Sequence, residues 1–143
     1  MIDRLKPYAL YIGFTQALVA TLGSLYLSEI LHLPPCMLCW YQRIAMYPLA
    51  VILGVAILRK ERRVFEYVLP LAIIGWLIAL YHSLLQWHII PDKLAPCAQG
   101  ISCTTVQVHL LGFITIPFMS LMAFSVVIIS MLIEWRGIHG QRS

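Results

Sequence analysis

Charge is scarce in this chain. Lys, Arg, Asp and Glu make up 11% of its 143 residues, where soluble domains carry about 25%. With 61% hydrophobic residues and a mean hydropathy of +0.85, that scarcity excludes a soluble globular protein. Lys and Arg number ten against six acidic residues. No basic face interleaved with aromatics accompanies the excess, which speaks against nucleic-acid binding. Low-complexity segments are missing, and so is any internal repeat beyond the pairing of apolar stretches. Stretches such as Leu69-Pro70-Leu71-Ala72-Ile73-Ile74 lack the apolar/polar alternation of a membrane β-barrel. Cysteine is confined to four positions, an even number that fits two disulfides.

What is present is long apolar runs. A helix needs about 20 apolar residues to cross the hydrocarbon core, and four stretches qualify: about 8–28, 36–58, 64–87 and 110–133. The first has a charged start, Asp3-Arg4-Lys6, like a signal peptide. Its apolar run is too long for that reading, and no small-x-small cleavage site ends it. The expectation is an all-α integral membrane protein: one domain over 1–143, folded as a four-transmembrane-helix bundle.

Lys and Arg in short loops set orientation. Arg4 and Lys6, then Arg59, Lys60, Arg62 and Arg63, then Arg136 and Arg142 fall on one side. Lys93 alone falls on the other, with Arg43 at its border. Both termini are therefore expected to be cytoplasmic, in a cell membrane. Tyr26, Trp40, Tyr41, Tyr81 and Trp87 mark the outer surface, while Tyr8, Tyr11, Tyr67 and Trp135 mark the inner one. Both cysteine pairs then lie in outer loops on the oxidising side, where disulfides persist. Cys36 and Cys39 sit where the first outer loop meets the second span. Cys97 and Cys103 sit in the second, about 87–109, which is too short for a folded domain.

Pro34 and Pro35 end the first helical segment, and proline suits a helix's first turn. The second helix is expected to begin near Pro35 or Cys36, with Cys36 and Cys39 in its first turn. The partial positive charge there lowers a cysteine's pKa and favours the reactive thiolate. The Cys-x-x-Cys spacing also lets the sulfurs bond to each other. The second pair follows Pro96 and encloses Gly100, so its loop is small and exposed. Such disulfides are the labile, catalytic kind; a structural staple is the alternative.

Arg43 lies four residues beyond Cys39 and seven beyond Cys36, so the three share one helical face. Near a bilayer centre an arginine costs roughly 2.5–3.5 kcal/mol, and snorkelling reduces that cost. It is either an interfacial anchor or a stabiliser of negative charge on a thiolate or a reduced quinone oxygen, a task its planar fork suits. Its position below the cysteines favours the second. Gln42, Tyr41 and Tyr47 lie nearby along the same helix. His82 and Gln86 share a face of the third. A histidine within a span is a functional candidate; the alternative is one satisfied by a neighbouring helix. Glu29 is either a proton acceptor near the thiols or an ordinary solvated helix end, and the second reading is favoured.

Pro35-Cys36-Met37-Leu38-Cys39-Trp40-Tyr41-Gln42-Arg43 resembles the signature of the DsbB family of membrane disulfide-bond oxidoreductases, in its small BdbC type. The resemblance extends to Tyr81-His82-Ser83-Leu84-Leu85-Gln86 and Leu111-Gly112-Phe113-Ile114-Thr115-Ile116-Pro117. It implies a bundle that re-oxidises an extracytoplasmic thioredoxin-like thiol oxidase and passes electrons to a quinone cofactor, menaquinone or ubiquinone. By the same resemblance the partner's thiolate attacks Cys97 and releases Cys103. The Cys36–Cys39 disulfide then re-oxidises that pair, and Cys39 meets the quinone beside Arg43, with His82 and Gln86 on the quinone side. Larger family members hold the second pair far apart in a long loop; here the separation is short.

Three rivals make different use of the cysteines. A zinc site of four thiolates uses short spacings, but the oxidising side works against four reduced thiols. A quinone-coupled reductase of the vitamin K epoxide reductase type carries its Cys-x-x-Cys late in the chain, whereas here it opens the second span. A structural membrane protein with stapled loops leaves Arg43 unexplained.

Overall fold

Residues 4, 6–32, 37–91, 93 and 115–140 are described by a computed structural model. Among them four helices are long and apolar enough to cross a membrane. A short 3-10 turn, Lys6–Tyr8, leads into α1, Ala9–Leu25, whose last turn widens into a π turn over Tyr26–Ile30. Then come α2, Met37–Arg59, α3, Phe65–Gln86, and α4, Ile116–Gly140. The fourth helix continues past the expected end at Ile133. The expected start of the fourth span at 110–114 lies outside the described residues, as does that of the second at Pro35 or Cys36.

Each helix packs on its chain neighbour, α4 closes the ring against α1, and α2 touches α4 only slightly across the diagonal. In lipid the apolar environment gives helices no hydrophobic reason to associate, so close packing and interhelical hydrogen bonds must hold them. The sequence supplies small residues for this purpose: Ala17, Ala45, Ala56, Ala72, Ala79 and Ala123 are all buried. Gly75 shows why size matters, because a methyl there would overlap the ring of the fully buried Phe124. Trp76 Nε1 donates to Ser125 Oγ at 2.9 Å, tying α3 to α4. Pro48 and Pro70 lie inside α2 and α3 on exposed faces.

Large apolar side chains such as Ile44, Val51, Leu58 and Ile74 face outward, as a lipid-facing surface requires. Exposed aromatics gather at the two ends: Tyr26, Trp40, Tyr41 and Trp87 at one, Tyr8, Tyr11, Tyr67 and Trp135 at the other. Arg59, Lys60, Arg62 and Arg63 are exposed at the α2–α3 turn, the opposite end of the bundle from Cys39. The right-handed helical path ends in left-handed residues at His32, Lys60 and His88 (φ 53, 55 and 58°), the conformation that lets a chain leave a helix abruptly.

Candidate functional site

The first turns of α2 bring Cys39, Gln42, Arg43, Met46 and Tyr47 to a cleft of about 460 Å³. Ala20, Gly23, Ser24 and Leu27 of the α1 segment and Ile116, Met119, Ser120 and Ala123 of α4 complete most of its wall. Among the described residues no carboxylate lines it. Cys39, Arg43 and Tyr47 recur every four residues, so one stripe of α2 faces the cleft. Around Cys39 a small apolar cluster of Leu38, Leu85, Ile78, Tyr81 and Ile90 ties the end of α2 to α3.

Arg43 is half-buried. Its Nη2 donates to the Ser24 carbonyl at 3.1 Å and to Ser28 Oγ. Both acceptors belong to the end of α1, and Ser28 lies within the π turn, the kind of irregular turn that often marks functional sites. The Trp40 ring lies under the guanidinium, 5.3 Å from Cζ, a cation–π distance. Among the described residues no carboxylate pairs with Arg43. A guanidinium carries five N–H donors, so Nη2 anchors the group to α1 while Nε and Nη1 remain available. The arrangement is a fixed cation at the wall of an apolar cleft, beside a cysteine, and it favours whatever negative charge develops there.

His82 is 1% exposed and Gln42 5%. They meet at 3.0 Å, Gln42 Nε2 to His82 Nδ1. His82 does not line the cleft; Gln42 does, so the histidine reaches the cleft through the amide. Gln86, one turn along α3 from His82, also stays out of the lining. Ser24 and Ser28 are the contributors that lie outside the motif. Their signal is polarity inside an apolar run. Glu29 is exposed. Cys36, Cys97 and Cys103 lie outside the described residues. Among the described residues no group of three or more His, Cys, Asp or Glu side chains converges as a metal site would require.

Chemically, the cleft joins apolar walls to a few polar groups, the make-up of a small-molecule site.

A family model described as "Disulfide bond formation protein DsbB" matches residues 6–133. The chain is 50% identical over 122 residues to "Disulfide bond formation protein C" of Bacillus subtilis (strain 168), covering 85% of this chain and 88% of that protein. It is 44% identical over 123 residues to the "Probable disulfide formation protein C 1" of Bacillus anthracis, covering 85% and 88%. It is also 44% identical over 128 residues to the "Probable disulfide formation protein" of Coxiella burnetii (strain RSA 493 / Nine Mile phase I), covering 86% and 85%. No solved structure matches.

Proposed function

The chain belongs to the DsbB family of disulfide bond formation proteins, and from that membership we propose that it re-oxidises an extracytoplasmic thioredoxin-like thiol oxidase and delivers the electrons to a membrane quinone. The observation that carries the reading is the shared cleft. Cys39 and the carboxylate-free Arg43 line one apolar cleft between the helices, a wall that suits a lipid-soluble oxidant. The basic α2–α3 turn at the far end of the bundle supports the orientation, with the cysteine end extracytoplasmic and both termini cytoplasmic.

In the proposed exchange a partner thiolate attacks the Cys97 sulfur of a Cys97–Cys103 disulfide, and Cys103 leaves as a thiolate. The partner's second thiolate resolves the mixed bond. The partner becomes a disulfide and Cys97 a thiolate, so two electrons have entered the chain. The reduced pair then attacks the Cys36–Cys39 disulfide. The Cys97–Cys103 bond re-forms, and Cys36 and Cys39 carry the two electrons. A quinone, menaquinone or ubiquinone, supplies when bound the two-electron acceptor that lets the Cys36–Cys39 bond form again.

Cys39 is the thiol at the cleft, and Arg43 holds negative charge there. Gln42 forms part of the wall, and His82 positions it from behind. Gln86 extends that polar row along α3. The residues fit a quinone: apolar walls for the ring and a cation without a carboxylate for a carbonyl oxygen.

Quinone reduction by the purified, detergent-solubilised protein tests this, with a reduced thioredoxin-like thiol oxidase as donor and each Cys→Ser variant alongside. Turnover that needs all four cysteines is expected. No turnover from folded protein, with inert disulfides or bound zinc, would overturn the reading.

A further inference from the structure

The cleft reaches well inward from its cysteine end. Gln16, Ala20, Ser24 and Leu27 line it from the α1 segment. They recur every three or four residues, so one stripe of that segment faces the cleft. Gln16 is the inner end of the stripe, near the middle of α1, and it is half-buried. Its amide keeps accessible surface, unlike the Tyr47 hydroxyl, and makes no hydrogen bond among the described residues. Lipid chains at that depth offer none, and a polar side chain inside a span marks a functional site.

Other polar groups of the lining are accounted for. Gln42 is held by His82, and Arg43 by Ser24 and Ser28. Ser120 can return its hydroxyl to the carbonyl four residues back, as Ser125 and Ser130 do on the same helix. Tyr26 is exposed, at the aromatic end of the bundle. Ser24, which holds Arg43, lies eight residues from Gln16, a rise of about 12 Å along α1. A para-quinone with a hydrogen bond of about 2.9 Å at each oxygen spans a similar length. Arg43 and Gln16 are therefore spaced to serve the two oxygens of one ring.

We propose that Gln16 is a quinone-binding residue: its amide N–H donates a hydrogen bond to the carbonyl that lies away from Cys39, while Arg43 serves the near one. This role rests on the quinone reading of the cleft and adds an orientation. The line between the two ring oxygens runs along α1, from the cysteine end toward the middle of the bundle. Met46, Ala20 and Ala123, which also line the cleft, have no side-chain hydrogen bond to give, so Gln16 sets how far the ring enters.

The test is equilibrium binding to the full-length protein in detergent, with infrared difference spectra of the bound ligand. The ligands are a short-chain quinone, isotope-labelled at one carbonyl or the other, and a ring analogue with a single carbonyl. Gln16→Leu should weaken the quinone about fivefold, the worth of one hydrogen bond. One carbonyl stretch should return to its unbonded position while the other stays shifted. The single-carbonyl analogue should bind as tightly as in the wild type, which also reports that the cleft is intact. The ligand-free variant should melt no lower than the wild type, because an unpaired amide has been removed.

Unchanged quinone affinity or an unchanged spectrum in the variant would overturn the proposal. So would an equal loss for both ligands, which would make Gln16 a shaper of the cleft, or a lower melting point, which would give its amide a partner within the protein. A wild-type protein that binds neither ligand would overturn the quinone reading itself, and this role with it.

Discussion

Replacing Arg43 by lysine keeps the charge and removes the fork. The guanidinium uses Nη2 to hold the Ser24 carbonyl and the Ser28 hydroxyl, which leaves its other N–H groups for the cleft. A lysine ammonium is a point charge on a flexible stem. It can be drawn to the α1 acceptors or toward the cleft, but it does not reproduce both geometries at once. The loss is then about one charge-assisted hydrogen bond, roughly 1.5–3 kcal/mol, or about ten- to a hundredfold in quinone kcat/KM. Arg43→Met removes the charge as well and should cost more. Steady-state quinone reduction at varied quinone reads this effect. Stopped-flow exchange between the proposed partner and the outer cysteines should not change, because in the proposed path Arg43 acts only after the electrons reach Cys39. Ser28→Ala should fall between wild type and lysine, since it loosens the anchor and spares the charge. Unchanged quinone kinetics in both Arg43 variants would refute the reasoning, and so would an equal slowing of thiol exchange.

The remaining predictions concern the bundle and the cysteines. Gly75→Ala forces a methyl against the buried Phe124 ring and should destabilise the protein by about 1–3 kcal/mol, read as a lower thermal midpoint in detergent; Phe124→Leu in the same chain should recover part of it. A double-mutant cycle of Gln42→Leu and His82→Leu should return a coupling of about 1 kcal/mol, the scale of an interhelical hydrogen bond in a membrane protein. Lys60→Gly replaces a side chain at φ 55° and should stabilise by up to about 1 kcal/mol, measured in the same melts. Cys36→Ser and Cys39→Ser should each abolish turnover while leaving helical content, read by circular dichroism, as in the wild type.

Apolar length made the helices readable from the sequence alone, because the bilayer sets a length that no other constraint blurs. The common face of Cys39 and Arg43 was legible as well, since both lie on one helix and spacing decides the face. What crossed between helices was not. Nothing in the Cys39-to-Arg43 segment says that the arginine is fastened to Ser24 and Ser28, which lie on another helix. His82 illustrates the same limit. Its position within a span marked it as a candidate, but only packing shows that Gln42 stands between it and the cleft. The π turn at Tyr26–Ile30 left no mark in residue periodicity, because one widened turn shifts the pattern by a single residue. Helix α4 ran on to Gly140 past Glu134 and Arg136, since polar residues end an apolar span without ending the helix.

The account stands on the cleft between α1, α2 and α4 being where the acceptor sits. The most direct measurement is photolabelling with a light-activated quinone analogue, followed by mapping of the modified peptides with and without competing unmodified quinone. Label on α2 between Cys39 and Tyr47 and on α4 between Ile116 and Ala123, removed by competition, is the predicted result. Label on the outward face of α3, at Ile73, Ile74 and Leu77, or label that competition does not remove, would contradict it.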